Sequence, residues 1–213
     1  TDGSSYEAPT RWLTDVPVPV PARTPAVQRS RLLCARALGY AAPQDAARFG
    51  LLAQLNRAQA ATKTIAFIHG TSRVDKCWSE LHWVQLGKKL LAQGFQIALL
   101  HGSDEEELRS QQIANALGKD AQVWPRLSLD ALTDKLAGCA GAIGVDSGLS
   151  HIAVALDLPH VQIYNFDTAW RTGPFDLPRQ CSVFAQPQPS VEQVWSAWCQ
   201  VQGTDGGPRA ASI

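Results

Sequence analysis

From Lys63 onward the chain alternates short apolar runs with amphipathic stretches of about ten residues, a pattern that few folds accommodate. The spacing predicts strands over 64–69, 95–100, 122–124, 142–145 and 161–164. Between and after them it predicts helices over 81–91, 108–117, 129–136, 152–156 and 191–201. Gly94 and Gly118 follow two of these helices as natural stops, and Ser190 and Gln193 stand at capping-box spacing before the last. The strand segments are apolar runs, which suits strands buried on both faces. Short buried strands alternating with helices form βαβ units, so the expected fold class is α/β, a parallel sheet with helices on both faces. Such sheets bind ligands beyond the carboxyl ends of their strands, so the chemistry is to be sought in the loops that follow strands.

The first sixty residues read differently. Residues 1–28 are proline-rich, and the alternating Val-Pro run from Val16 to Pro21 suits an extended connector. Residues 27–38 have helical spacing that stops at Gly39, and a loop with Pro43 leads to an apolar run ending at Leu55. The Gly/Pro/Ala-rich end is expected to be a disordered tail. The resulting division is 1–60 as a preceding segment with helices, 61–202 as the α/β domain, and 203–213 as the tail. A chain of 213 residues can bury one good-sized core, and no run approaches a membrane span. Its formal net charge of zero offers no general attraction to nucleic acid. Five cysteines, widely spaced and without a CxxC pair, argue against a disulfide framework or zinc site and for a reducing compartment. With no methionine and a polar opening at Thr1, the chain reads as a piece of a longer protein.

Four loops carry usable chemistry. After the first strand, Gly70 allows a sharp turn, Thr71 and Ser72 supply hydroxyls, and Lys76 supplies an ammonium. These suit a phosphate, although the spacing is not that of a Walker loop, and a solvated loop with a surface lysine has the same composition. After the second strand, Ser103 and the acidic run Asp104 to Glu107 form either an ordinary helix start or a site for ribose hydroxyls. After the third, Leu127 precedes a cap at Ser128 and could wall a base or merely staple into the core. After the fourth comes Val145-Asp146-Ser147-Gly148-Leu149-Ser150-His151, a strand feeding directly into a helix. The N–H groups of Gly148 and Leu149 suit a diphosphate. Asp146 repels phosphate and is better used on sugar hydroxyls, while His151 can donate to a phosphate oxygen or leaving group. The competing assignment makes Ser147 a simple cap and His151 an ordinary helix residue. His82 and His160 are expected on the surface, and His69 and His101 in the cleft.

Together these pieces resemble glycosyltransferase family 9, the lipopolysaccharide heptosyltransferases. The stretch from Thr71 to Trp78, with Glu80-Leu81-His82-Trp83 behind it, is similar to their phosphate loop and following helix. Asp146-Ser147-Gly148-Leu149-Ser150-His151 is similar to their D-[ST]-G-x-x-H signature, in forms nearer the type I than the type II enzymes. The likeness is specific from about Lys63 to Phe166 and looser from Thr10 to Gly39. Gly70, Cys77 and Ser79 depart from it, standing where Ala, His and Pro are usual.

The resemblance implies a GT-B enzyme of two Rossmann-like domains, of which this chain is the C-terminal, nucleotide-sugar-binding one. It implies ADP-heptose as donor, with Thr71, Ser72 and Lys76 on the diphosphate, Glu106 on the ribose and Leu127 beside adenine. Asp146 then meets the heptose, while Gly148, Leu149 and His151 face phosphate and sugar. Lys76, Asp146 and His151 are the expected catalytic contributors. The implied reaction is inverting transfer of L-glycero-D-manno-heptose to the Kdo of Kdo–lipid A, at the cytoplasmic face of the bacterial inner membrane, without an obligatory metal. The family's base, an Asp in an early Gly-rich loop, has no counterpart here, so the chain alone is expected to bind ADP weakly and transfer nothing. Rival readings are another GT-B nucleotide-sugar enzyme, an epimerase or different transferase, and a non-catalytic binding module.

Overall fold

The structure, a computed structural model, describes residues 16–51, 62–174 and 178–203. Residues 1–15 of the proline-rich opening, most of the apolar run ending at Leu55, and the tail beyond Gly203 lie outside the described residues. The chain divides into two compact units, one running to Arg48 together with Trp170–Thr172, the other comprising Phe49–Ala169 and the chain from Gly173. In the first unit the segment from Val16 forms no helix or strand until α1 (Ala26–Leu38). That helix ends at Gly39, whose φ of 73° is the left-handed conformation that favours glycine after a helix. Arg31 donates to the carbonyl of Asp45, and the Arg23 guanidinium lies 4.8 Å from the Trp170 ring centre.

The second unit contains the sheet. Its elements are β1 (Thr64–Ile68), α2 (Glu80–Ala92), β2 (Gln96–Leu99), α3 (Asp104–Leu117) and β3 (Ala121–Val123). They continue with α4 (Leu129–Ala137), β4 (Gly141–Val145), α5 (Gly148–Ala155) and β5 (His160–Tyr164). The one-turn helix α6 (Ala169–Thr172) straddles the two units, and β6 (Gln180–Phe184) and α7 (Val191–Gly203) complete the chain. The six strands lie in the order β3-β2-β1-β4-β5-β6, every neighbouring pair parallel. Each strand and helix of the sequence pattern is therefore present, with α3 beginning four residues before its predicted start. Ser103 explains the difference, because its hydroxyl accepts from the Glu106 N–H and starts the helix there. Ser79 and Ser128 cap α2 and α4 in the same way. Ser190 and Gln193 exchange both bonds of a capping box, and α7 runs on through Gly203, the residue read as the start of the tail.

Alternate residues of the strands feed two cores. Ile65, Phe67, Ile97, Leu99, Ile143, Val145, Val161 and Ile163 pack with Trp83, Leu86 and Leu90 of α2 and Val194 and Trp198 of α7. Trp83 lies 4.7 Å from the Phe67 ring and meets Trp78 edge-on at 5.1 Å, supplying much apolar burial on this face. The opposite face presents smaller residues, Ala66, Ala98 and Ala142, under Leu136 of α4 and Ala153 of α5. Small residues let α5 sit close to the sheet. The five cysteines are free, and burial pushes the Cys139 thiol up to about 12.

The strand β6 was not predicted, since Gln180 and Ser182 interrupt its apolar pattern. Its presence corrects the reading of His160 as a surface residue. With β6 outside it, β5 is an interior strand, and His160 is wholly buried with Nδ1 on the carbonyl oxygen of Ala142. His69 is buried as well, its Nε2 2.7 Å from the Ser110 hydroxyl. Burial is the main cause that holds both histidines at a pKa of about 4, reinforced by Arg109 at His69 and His151 at His160. Above pH 6.5 both are neutral whether folded or unfolded. Below it the unfolded chain takes up protons that the folded chain refuses, so stability falls as pH drops from 6.5 towards 4, by about 1.4 kcal/mol per pH unit for each group. Chemical denaturation at stepped pH is expected to show this acid limb, and His160→Asn, which keeps a donor for Ala142, is expected to flatten it by one proton.

Candidate functional site at the switch point of the sheet

In a sheet of order 3-2-1-4-5-6 the chain leaves β1 and β4, its two central neighbours, towards opposite edges. The loops after them diverge and open a crevice. Ile65 to Ile68 lie in register with Gly141 to Gly144, so the segments beginning at His69 and at Val145 emerge side by side. The β1 loop turns through a 3-10 segment, Val74–Lys76, that ends on Lys76. Its ammonium lies 2.7 Å from Oδ2 of Asp146, a carboxylate only 8% exposed, and the Thr71 hydroxyl donates to the Asp146 carbonyl oxygen at 3.2 Å. On the other side of the same carboxylate, Nε2 of His151 stands 3.8 Å from Oδ1. Burial, with Lys76 adding to it, lowers the His151 pKa, while Asp146 works against them. A neutral imidazole can donate through one nitrogen and accept through the other.

The start of α5 completes this cluster. Ser147 occupies the N-cap position, but its side chain makes no cap bond and its hydroxyl is buried without a partner. The first N–H groups of α5 are therefore not satisfied by a cap, in contrast to those of α2, α3 and α4. Gly148 is exposed, with nothing within 4 Å of where a side chain would begin, so the helix end is open to approach. Leu149 packs against the smaller-residue core, and Ser150 donates to the Val145 carbonyl at 2.6 Å, tying the helix to the end of β4.

The remaining predicted residues follow the strand order. Thr71 is half-buried and Ser72 exposed in the β1 loop. Glu106, in the first turn of α3, accepts from the Gly102 N–H at 2.7 Å beyond β2. Leu127 is half-buried in the loop beyond β3. The structure thus brings Thr71, Lys76, Asp146 and His151 into direct contact, and sets Glu106 and Leu127 beyond the next strands. With neighbouring strands about 4.8 Å apart, three steps across the sheet edge span about 14 Å. His101, expected in the cleft, is instead turned inward with Nε2 donating to the Trp124 carbonyl, as His69 is turned towards Ser110. Each ring thus gives one hydrogen bond to a buried partner, while its Nδ1 is buried without one.

Several supporting residues carried no sequence signal. Asn165, after β5, donates to the Asp75 carbonyl, and Arg73 lies over the Phe166 ring at 5.4 Å, so the loop after β5 braces the segment carrying Lys76. Trp78 donates to the Pro189 carbonyl at 2.8 Å, anchoring the other end of that loop. Only their position after a strand could have marked Asn165 and Phe166. Among the described residues no group of three or more His, Cys, Asp or Glu side chains could hold a metal ion.

Comparison with known proteins decides the family. The model of glycosyltransferase family 9 (heptosyltransferase) matches residues 3–197. The chain belongs to glycosyltransferase family 9. Lipopolysaccharide heptosyltransferase 1 of Pseudomonas aeruginosa is 36% identical over 151 residues, covering 70% of this chain and 42% of the relative. The protein of the same name from Escherichia coli K12 is 36% identical over 141 residues, covering 65% and 44%. The chain thus spans less than half the length of these curated relatives. The structure of E. coli heptosyltransferase WaaC with ADP superposes with a TM-score of 0.71 at 29% identity, covering 90% of this chain and 60% of that one. The six-stranded parallel sheet with its flanking helices matches these GT-B heptosyltransferase structures.

In this family 9 chain the close seat of α5 on the sheet sets the position of the β4 turn. A side-chain carbon at Gly144 would stand 2.4 Å from the Ser150 hydroxyl and 2.8 Å from Cβ of Ile68. The first could rotate but the second is fixed in the core. Gly144→Ala is expected to destabilise the domain by about 1–3 kcal/mol, measured by denaturant titration, through overpacking.

Proposed function

We propose that the loops after β1 to β4 hold ADP-L-glycero-D-manno-heptose, and that this chain is the donor-binding part of a heptosyltransferase acting on the Kdo of Kdo–lipid A. The observation that carries the reading is the convergence of the Lys76 ammonium and the uncapped N-terminus of α5 on one crevice, with the Asp146 carboxylate between Lys76 and His151. Leu127, Glu106, the Thr71–Lys76 loop and the α5 turn follow one another in the order of their strands. That order suits a base, a ribose, a diphosphate and a sugar laid along the sheet edge. The names of the relatives support the choice of heptose and lipopolysaccharide, and the WaaC structures with ADP and with ADP-2-deoxy-2-fluoro heptose support the choice of nucleotide.

The reaction is a direct displacement with inversion. The acceptor hydroxyl oxygen bonds to the anomeric carbon as the bond from that carbon to the diphosphate breaks, and the hydroxyl proton passes to a base. No residue of this chain is assigned as that base. The leaving diphosphate gains negative charge in the transition state, so Lys76, the N–H groups of Gly148 and Leu149, and a hydrogen bond donated by the His151 imidazole contribute most there. Thr71 and Ser72 hold the diphosphate oxygens, and Glu106 takes the ribose hydroxyls. Asp146 belongs to the sugar: a carboxylate accepts hydroxyl hydrogen bonds but repels phosphate. Asp146 also neutralises Lys76 at 2.7 Å, and the diphosphate takes that ammonium over on binding. A lipid-borne acceptor would be met at the cytoplasmic face of the inner membrane, which the reading takes the enzyme to reach peripherally; no helix among the described residues is long and apolar enough to cross a membrane.

Calorimetric titration of the full chain tests this reading. Lys76→Ala is expected to weaken ADP binding by about a hundredfold, or about 3 kcal/mol. Asp146→Asn separates the two halves of the ligand: it is expected to tighten ADP, by releasing Lys76, while reducing the preference for ADP-heptose over ADP. Stabilisation by UDP-sugars but not by ADP-sugars would overturn the choice of donor.

A further inference from the structure

We infer that Asn165 is a positioning residue of the diphosphate site, acting through the backbone that carries Lys76. This rests on the reading of Lys76 as a ligand of the diphosphate. The peptide unit between Asp75 and Lys76 is held at both ends. Its carbonyl oxygen accepts from the Asn165 side-chain amide, and its N–H, that of Lys76, donates to the Arg73 carbonyl at 3.0 Å. Because the unit is planar, fixing both groups fixes its orientation and the direction in which the Lys76 side chain leaves it. Asn165 is a firm post for this purpose, since it directly follows β5. That strand is interior, and its last residue, Tyr164, is buried and accepts from the Ala185 N–H beyond β6 at 3.3 Å. Phe166, the next residue, has the Arg73 guanidinium 5.4 Å from its ring centre, and its carbonyl accepts from the Thr168 N–H at 2.7 Å.

Neither of the other restraints on this turn can replace that hydrogen bond once ligand is present. The Arg73–Asp75 ion pair has side chains 58% and 51% exposed, and a pair so open to water contributes little. Asp146 holds the ammonium at 2.7 Å in the free chain, but a diphosphate that takes the ammonium over removes this restraint. The flexible lysine stem is then fixed only at its root, by the peptide unit that Asn165 holds. Loss of the Asn165 amide therefore acts selectively on ligands that carry the diphosphate. The base and ribose, which the reading places beyond β3 and β2, are untouched by it.

NMR titration of the full chain with ADP and with adenosine, which offers base and ribose but no phosphate, tests this. Asn165→Ala is expected to weaken ADP about fivefold, the loss that one net hydrogen bond produces, and to leave adenosine unchanged. Asn165→His, whose Nδ1–H can stand where the amide N–H stood, is expected to bind ADP within about twofold of the parent. An unchanged ADP affinity in Asn165→Ala, equal losses for ADP and adenosine, or no recovery in Asn165→His overturns the inference. If Asn165→Ala does not fold, Asn165→Ser, whose hydroxyl is one bond too short to reach the Asp75 carbonyl, must show the same selective loss, and its failure to do so overturns the inference. If Lys76→Ala leaves ADP binding unchanged, the reading of Lys76 falls instead. If Lys76→Ala weakens ADP and Asn165→Ala does not, only the role of Asn165 falls.

Discussion

The parallel pairing of β1 with β4 is the constraint on which the site depends. It sets Ile65 to Ile68 against Gly141 to Gly144, and so brings together loops about seventy residues apart in the chain. The pairing is held by apolar side chains on both faces, large ones towards α2 and α7 and small ones towards α5. The asymmetry has a purpose that is visible at Gly144, where the sheet has no side chain and the Ser150 hydroxyl takes its place. Because α5 lies this close, its N-terminus falls directly beside the loop that carries Lys76. The chemistry rests on a packing decision.

Within that frame the charges are mutually compensating. A carboxylate as enclosed as Asp146 would cost several kcal/mol if left alone, and Lys76 at 2.7 Å offsets that cost. The same pair fixes the position of the ammonium beside the start of α5, which is the placement the proposed diphosphate site requires. Asn165 and Phe166 after β5, and Pro189 after β6, brace the loop. The site is thus built on loops, but on loops fastened at several points to strands and helices.

Much of this is legible in the amino-acid sequence. Ser103 and Ser128 cap their helices, Ser190 and Gln193 form their box, and Gly39, Gly94 and Gly118 all take a positive φ at helix ends. These are local signals, decided by a residue and its neighbours within one turn. His160 shows where such reading stops. It stands just before the last strand predicted, over 161–164, and only β6, whose polar Gln180 and Ser182 break the apolar pattern, makes it interior. Ser147 stands where a capping serine should, yet its hydroxyl is buried and uncommitted. Asn165 directly follows a predicted strand, but nothing in its neighbourhood reveals that its amide reaches the Asp75 carbonyl.

The sequence by itself determined the elements, their order and the chemical character of each loop, because hydrophobic period, caps and glycine stops act over a few residues. It also carried the motifs that mark glycosyltransferase family 9. Only the tertiary structure decided which loops are neighbours, that Lys76 and His151 share the carboxylate of Asp146, that His69, His101 and His160 are buried, and that Asn165 reaches the segment carrying Lys76. Periodicity specifies which face of a strand is buried but not which strand lies beside it. That choice is made by packing between residues far apart in the chain, and the site is assembled by it.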